Sequence, residues 1–211
     1  YVMLSYTRSW AACREGLYEP EIIAFEGRTE DECFLKERNM AVLLKRAKPI
    51  FAKEFGTITA ANSCNINDGA AAVVVMDEKL AHELNRKPIL RFVDSAVSGI
   101  HPHYPGISPV PAIRTLLDRN ALTIEDIDLF EINEAFASKI VACVQELSIP
   151  YEKLNVSGGA LTTGHPYGAS GAILVTRLFY EVQRRKGLRY VLAAIGSAGG
   201  VGLAVLFEVI E

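Results

Sequence analysis

Residues 190–207 form an 18-residue run without a charge, and the way the chain uses that run decides its class. Eighteen apolar residues approach the minimum for a helix that crosses a bilayer. Gly196, Gly199, Gly200 and Gly202 crowd the middle of the run, where each costs a helix about 1 kcal/mol relative to alanine. The flanks, 190–195 and 203–207, have the length of strands. The run therefore predicts two buried strands joined by a glycine turn and no membrane span.

The rest of the chain alternates in the same way. Periodicity predicts a helix over residues 2–16 and a short strand at 21–25. A charged, irregular excursion follows over 26–50. Residues 70–76, Ala-Ala-Ala-Val-Val-Val-Met, are apolar throughout, as a strand covered on both faces would be. A helix is expected at 77–86 and a strand at 89–97. Four prolines and two glycines between 99 and 111 predict a long loop ahead of a helix starting near Pro111. Thr123-Ile124-Glu125-Asp126 resembles a helix-start cap. Residues 128–132 read as a strand, and 135–147 as an amphipathic helix. A glycine-rich turn over 157–171 then leads into a helix ending at Lys186-Gly187. Strands alternating with helices predict an α/β layered fold with a central mixed sheet.

Composition narrows the function classes. Lysine plus arginine is 22 and aspartate plus glutamate 25, a net charge of −3. That balance argues against a nucleic-acid partner held by bulk charge. Cys13, Cys33, Cys64 and Cys143 show no C-x-x-C or Cys/His ligand spacing. A disulfide framework and a structural metal are not expected, and a reducing, cytoplasmic setting is. The chain opens on Tyr1 with no basic segment ahead of an apolar stretch, so the reading is of a chain that starts mid-fold and carries no signal peptide.

Three segments are poor packing material. Asn133-Glu134-Ala135-Phe136-Ala137 follows a strand; its polar pair either caps the next helix or presents the Asn133 amide to a water or a substrate carbonyl. The stretch from Asn155 to Gly171 carries Gly158, Gly159, Gly164, Gly168 and Gly171 around one imidazole, His165. Such a loop lets a backbone pass close to a ligand, and its neighbours leave room for a substrate beside the histidine. Ile195-Gly196-Ser197-Ala198-Gly199-Gly200-Val201-Gly202 is either a tight hairpin or a set of N–H groups aimed at an oxyanion. No G-x-G-x-x-G after a first strand and no Walker loop occurs, which leaves phosphate and dinucleotide chemistry unsupported.

NEAFA at 133–137, N-V-x-G-G-A at 155–160 and G-H-P-x-G-A-S-G at 164–171 resemble the signatures of the thiolases. Thr59-Ala60-Ala61-Asn62 with Asn67-Asp68-Gly69-Ala70-Ala71-Ala72 is similar to their T-A-x-N…N-D-G-A-A-A stretch, and Pro109-Val110-Pro111-Ala112 to their G-P-x-P-A segment. Order and spacing agree from about residue 20 to the end.

The resemblance implies a thiolase-like layered αβαβα fold, of which this chain is the C-terminal half. Residues 1–87 would finish the N-terminal half and 88–211 would form the C-terminal domain. It also implies an acyl-CoA C-acyltransferase of lipid metabolism, making or thiolysing 3-oxoacyl-CoA through an acylated cysteine. His165 would activate that cysteine and help hold the thioester oxygen, and Asn133 would hold a water in the same oxyanion hole. Coenzyme A thioesters are the implied substrates, with no metal or redox cofactor. Arg38 would meet the CoA phosphates, and Cys64 falls where the pantetheine arm runs.

Two departures qualify this. Nothing here matches the family's C-x-S-G-type nucleophile turn, so all four cysteines read as structural and the nucleophile is expected on a partner polypeptide in a homo- or hetero-oligomer. The family's second catalytic cysteine, heading a C-x-G-G-G turn, is replaced by Gly196, or by Ala194 if two residues are inserted. Ser197 is then the nearest side chain able to handle a proton. Two other readings stay open: a non-catalytic thiolase-like subunit that binds acyl-CoA or scaffolds a complex, and a ketoacyl-synthase-type condensing enzyme.

Overall fold

A computed structural model describes residues 1–210. Its helices are α1 (Val2–Arg14), α2 (Met40–Arg46), α3 (Glu78–Glu83), α4 (Pro109–Arg119), α5 (Ala137–Leu147), α6 (Ala160–Thr163) and α7 (Ser170–Gln183). Its strands are β1 (Leu90–Gly99), β2 (Leu129–Ile132), β3 (Tyr190–Ser197) and β4 (Val201–Val209). The protein is α/β and its sheet is mixed. Two compact units form, each from two stretches of chain: Tyr1–Gly69 with Asn133–Tyr167, and Ala70–Ile132 with the chain from Gly168 onward.

The second unit is built on the uncharged run. Strands β3 and β4 form an antiparallel hairpin, with Tyr190 opposite Glu208 and Ser197 opposite Val201. Strand β1 adds antiparallel to β4 and β2 adds parallel to β3, giving the order β1-β4-β3-β2. Parallel neighbours need a long crossover, which residues 133–189 supply. Val191, Leu192, Ala193 and Ala194 are all buried, as expected of a central strand covered on both faces. Helix α4 packs on β4 and β1, and α7 on β3 and β2. The start of α4 comes so close to β4 that a Cβ on Gly202 would lie 1.8 Å from the Ser108 carbonyl oxygen. No other residue fits there, so the last glycine of the third segment is required by packing. Among the described residues, no helix is long and apolar enough to cross a membrane.

In the first unit, α1 buries Val2, Ser5, Ser9, Trp10 and Ala12 and packs beside α6. Trp10 and Tyr18 each place their rings 5.3 Å from Phe34, offset and edge-on geometries that aromatic pairs favour. Arg8 donates to the carbonyls of Leu154 and Tyr151 at 2.7 and 3.0 Å.

Several local expectations fail for identifiable reasons. The strand at 21–25 is absent: a 3₁₀ turn spans Glu19–Glu21, and Phe25 pairs only with Arg28 across a tight turn, leaving Ile23 and Phe25 exposed. With no neighbouring strand to take its N–H groups, an extended segment gains nothing from being one. The charged excursion is not wholly irregular, since Asn39 caps α2 by accepting from the Val42 N–H. Thr123 donates its N–H and its hydroxyl to the Asp126 carboxylate, both at 2.8 Å, closing a turn on itself with no helix behind it. Helix α4 begins at Pro109, two residues ahead of expectation. The largest failure is 70–76, which forms no strand and is exposed along its whole length, Val74 and Val75 at 83%.

Candidate active site

Strand β2 ends at Ile132 and hands the chain to Asn133 and Glu134, which are 2% and 1% exposed. Neither caps α5: the residue before that helix is Phe136, and no side chain caps it. Glu134 does something else. Its carboxylate accepts from the Tyr1 hydroxyl, the Ser5 hydroxyl at 2.8 Å, the Asn155 amide at 3.0 Å and the Leu161 N–H at 3.1 Å. One buried acid thereby ties α1, the start of the glycine loop and α6 together, with every lone pair used.

The glycine loop is held equally closely. Gly164 has φ +84°, and a Cβ on it would lie 2.0 Å from Asn67 Oδ1. Both the left-handed backbone and the close approach demand glycine there. The next residue, His165, donates its backbone N–H to the Asn65 carbonyl at 2.9 Å. Its ring meets that of Tyr167 edge-on at 4.7 Å. The side chain is 7% exposed, so the room expected around it is largely filled by the protein itself.

What fills it includes Asn133. The Asn133 amide nitrogen and His165 Nε2 lie 3.1 Å apart in the interior. An amide nitrogen can only donate, so in this arrangement Nε2 accepts, the imidazole is neutral and Nδ1 carries the proton. Burial, and after it the positive charge of Lys139, hold the imidazole below its ordinary pKa of 6.5. At neutral pH His165 is thus a base with its acceptor nitrogen pre-aligned.

Lys139 is a buried charge that sequence reasoning did not single out. It sits in the first turn of α5, is 4% exposed, and burial lowers its ammonium to about 8. The thiols of Cys143, one turn on, and Cys64 are the groups that favour its charge. The legible signal was spacing: Lys139 lies four residues before Cys143, on the edge of the helix's apolar stripe, where a lysine is out of place.

The four cysteines share one bias. Burial, the leading cause in each case, raises Cys13 and Cys64, pushes Cys33 up to about 12 and Cys143 up to about 11. Carboxylates reinforce it at Cys33, beside Asp31. Each is held as a thiol and none has the lowered pKa of a reactive nucleophile.

The structure brings Asn133, His165 and Cys64 into the first unit around the start of α5, where the Cys64 N–H bonds the Ala135 carbonyl at 3.0 Å. Arg38 belongs to that unit as well; its side chain is exposed, and its backbone both donates to and accepts from the Tyr6 hydroxyl. Ser197 belongs to the second unit, exposed at the end of β3.

This combination of a mixed α/β sheet and a buried Asn–His pair beside a glycine loop finds close counterparts. The thiolase N-terminal domain model matches residues 1–79 and the thiolase C-terminal domain model residues 86–209. The chain belongs to the thiolase family. A Bacillus subtilis protein provisionally named acetyl-CoA C-acetyltransferase YhfS is 59% identical over 210 residues, covering 100% of this chain and 58% of its own length. A Staphylococcus epidermidis protein provisionally named acetyl-CoA C-acetyltransferase VraB is 46% identical over 198 residues, 92% of this chain and 50% of its own length. The crystal structure of the Bacillus anthracis acetyl-CoA acetyltransferase superposes with TM-score 0.91 at 35% identity, over 99% of this chain and 54% of that one. Human mitochondrial 3-ketoacyl-CoA thiolase in complex with CoA gives TM-score 0.90 at 34% identity, over 100% and 54%. The chain therefore spans little more than half the length of the relatives it matches.

Proposed function

We propose that this chain is the C-terminal part of an acyl-CoA C-acyltransferase of the thiolase type. The observation that carries the proposal is the buried Asn133–His165 pair, an imidazole held neutral with its acceptor nitrogen aligned. In this reading His165 takes the thiol proton of a cysteine supplied by a partner polypeptide. In thiolysis the thiolate attacks the 3-oxo carbonyl and the C2–C3 bond breaks, its electron pair going to C2, which takes a proton. The acyl group on the cysteine then passes to the sulfur of free coenzyme A. In the reverse direction the cysteine is acylated from acyl-CoA and the departing sulfur takes the proton back. Asn133 orients the water that stabilises the thioester oxygen. The resident thiols support placing the nucleophile elsewhere, since all four are raised. The names of the relatives support 3-oxoacyl-CoA and CoA as substrates, with no metal or redox group required of the protein. Arg38 and Cys64 are the candidates for the phosphate and pantetheine ends of CoA.

The division near 87/88 belongs to the same proposal: the matched family models end at 79 and begin at 86. So does the oligomer. Residues 70–76, with Phe92, Val97 and Val201 of the sheet, expose apolar side chains that a partner segment would cover. A cytoplasmic location fits four free thiols. Loss of the second thiol, at Gly196 or Ala194, puts the Claisen step in greater question than acyl transfer, because a serine hydroxyl is a poor acid–base group near neutral pH.

The test is thiolysis of acetoacetyl-CoA by CoA, with the purified chain alone and with a polypeptide carrying the family's nucleophile turn. No turnover alone and turnover on addition, with the acyl group trapped on the added chain by mass spectrometry, is the expected result. Robust turnover by the chain alone would overturn it.

A further inference from the structure

The backbone on either side of His165 is held residue by residue. The Thr163 carbonyl accepts from the Cys33 thiol at 3.5 Å. Gly164 lies against the Asn67 side chain, where a Cβ would meet Oδ1 at 2.0 Å, Cγ at 2.4 Å and Nδ2 at 2.9 Å. The His165 N–H bonds the Asn65 carbonyl at 2.9 Å. Pro166 packs on Gly69, where a Cβ would lie 2.9 Å from the proline Cβ and Cγ. Residues 65–69 thus run alongside 163–166, all inside the first unit. Asn67 stands at the middle of that contact and reaches two of the four residues. It touches Gly164 directly, and Thr163 through Cys33, whose Sγ is 4.0 Å from Asn67 Nδ2. One atom of Asn67 is left over. Oδ1 is buried and has no hydrogen-bond donor among the described residues. A buried amide oxygen without a donor is costly, and a chain that only had to cover Gly164 would do better with leucine. The glycine hydrogen that stands where a Cβ would stand points at that oxygen, a weak C–H···O contact. Turning the amide round would set an N–H against that hydrogen instead, so Oδ1 faces Gly164 and Nδ2 the Cys33 sulfur.

We propose that Asn67 is a positioning residue for His165: its carboxamide, seated on Gly164 and tied through the Cys33 thiol to the Thr163 carbonyl, fixes the backbone from which the imidazole is presented to Asn133. Asn67 touches no reacting atom. It acts on where His165 Nε2 sits, 3.1 Å from the Asn133 amide, and a base displaced by a fraction of an ångström loses its alignment with the proton it must take. The glycine makes such a device necessary. Gly164 has a left-handed backbone, φ +84°, and no side chain of its own to hold it, so the residue after it is fixed only by what packs around the pair. The Cys33 sulfur keeps the proton that it donates to Thr163, since burial and Asp31 push it up to about 12. The kinetic consequence rests on the reading of His165 as the thiol base; the positioning itself does not.

The experiment separates the two. In the 211-residue chain with isotope-labelled histidine, the four imidazoles are followed by NMR, His165 being assigned by its loss in His165→Gln. In the neutral wild-type ring one nitrogen should carry the proton, the Nδ1–H form that the Asn133 contact selects. Asn67→Ala should bring the two nitrogen shifts together as the tautomers mix, with thermal melting showing that the chain is still folded. Cys33→Ala should do the same to a smaller degree, and Cys33→Ser, which keeps a donor to Thr163, should recover the wild-type separation. Cys33 is only partly buried, so this pair decides the matter even if Asn67→Ala fails to fold. Unmoved His165 nitrogens in a folded Asn67→Ala chain, or identical spectra for Cys33→Ala and Cys33→Ser, overturn the proposal whatever the enzyme does. With the nucleophile-bearing polypeptide added, Asn67→Ala should lower kcat for thiolysis by about 10- to 100-fold, with KM for acetoacetyl-CoA and CoA changed by less than about twofold. A raised KM with kcat kept would also overturn it, because Asn67 would then bind substrate rather than place the base. Mixed tautomers in Asn67→Ala with no thiolysis in the wild type would instead sink the functional reading and leave the positioning one intact.

Discussion

Residues 70–76 and β3 are the same kind of sequence: short, uncharged, made of alanine, valine and a few larger apolar side chains. One is the most buried strand of the sheet, with Val191 and Leu192 at 0% exposure; the other is bare along its length. The difference does not lie in the residues. Strand β3 has β4 and β2 on its two sides and α7 packed over it, whereas 70–76 has no hydrogen-bonded neighbour. A strand is completed by its partners, and among the described residues 70–76 has none. The Asn133–His165–Glu134 cluster falls on the finished side of that line. Its hydrogen bonds close within Tyr1–Gly69 and Asn133–Tyr167, and all three side chains are buried. The cluster is closed by its own hydrogen bonds, whereas the apolar segment 70–76 is uncovered.

The largest test of that contrast is at His165. In the enzyme assembled with its nucleophile-bearing partner, His165→Ala should lower acylation and turnover by about 10²–10⁴-fold, the span of a positioned acid–base group. Because the side chain is buried, thermal melting of the variant must be recorded alongside, and a fold lost rather than a rate lost would show that the cluster is only packing. The wild-type acid limb of kcat/KM should lie below pH 6.5, since burial lowers the imidazole and it takes up its proton only under more acidic conditions. An acid limb well above 6.5 would mean that another group is the base.

The second test uses the two strands directly. In the chain alone, Leu192→Ala removes a fully buried side chain and should cost about 2–5 kcal/mol in urea unfolding. Val74→Ala should change stability by less than about 0.5 kcal/mol, as exposed substitutions do. With the partner present, the cost of Val74→Ala should rise above about 1 kcal/mol if 70–76 becomes a covered strand. Equal small effects in both states would break the comparison, because 70–76 would then be a surface segment in its own right.

A third, smaller effect is expected at Glu134. Glu134→Gln keeps the shape but swaps one acceptor oxygen for a donor facing other donors, and should cost about 1–3 kcal/mol. The loss should spread to the docking of α1, read as faster amide exchange in its first two turns. A variant with unchanged exchange would show that α1 is held by its apolar face alone.

Much of this was legible in the sequence, for physical reasons that can be assigned element by element. The β3–β4 hairpin was readable because a charge-free run interrupted by Gly196, Gly199, Gly200 and Gly202 has few other solutions. Helix α5 was readable from its stripe, Ile140, Cys143, Val144 and Leu147. Asn133 and His165 stood out because amide and imidazole are poor packing material between a strand end and a glycine loop. Residues 70–76 were misread because hydrophobicity reports what a segment needs and not whether the need is met. Glu134 was misread as a helix cap because its partners, Tyr1, Ser5, Asn155 and Leu161, lie between 21 and 133 residues away and no local rule reaches them. Lys139 was missed because one lysine in an amphipathic helix is ordinarily a solvated edge.

Ser197 carries the smallest expected effect. It closes β3 opposite Val201 at the mouth of the hairpin and is exposed. Three of the hairpin's four glycines are explained without chemistry: Gly199 and Gly200 have φ +81° and +82°, and Gly202 leaves no space for a side chain against Ser108. A serine hydroxyl's proton is far harder to remove than that of a thiol, such as the one the resemblance implies at Gly196 or Ala194. Ser197→Ala in the assembled enzyme should therefore change thiolysis by less than about threefold and stability by less than about 0.5 kcal/mol. Condensation of two acetyl-CoA molecules reads the same step in the other direction, since it takes from the second acyl group the proton that thiolysis gives back. If Ser197→Ala abolishes condensation while acylation of the partner's cysteine survives, the serine has inherited the missing thiol's step. If Gly196→Cys raises condensation and Ser197→Ala does nothing, the step was lost with the thiol, and the site is left with acyl transfer alone.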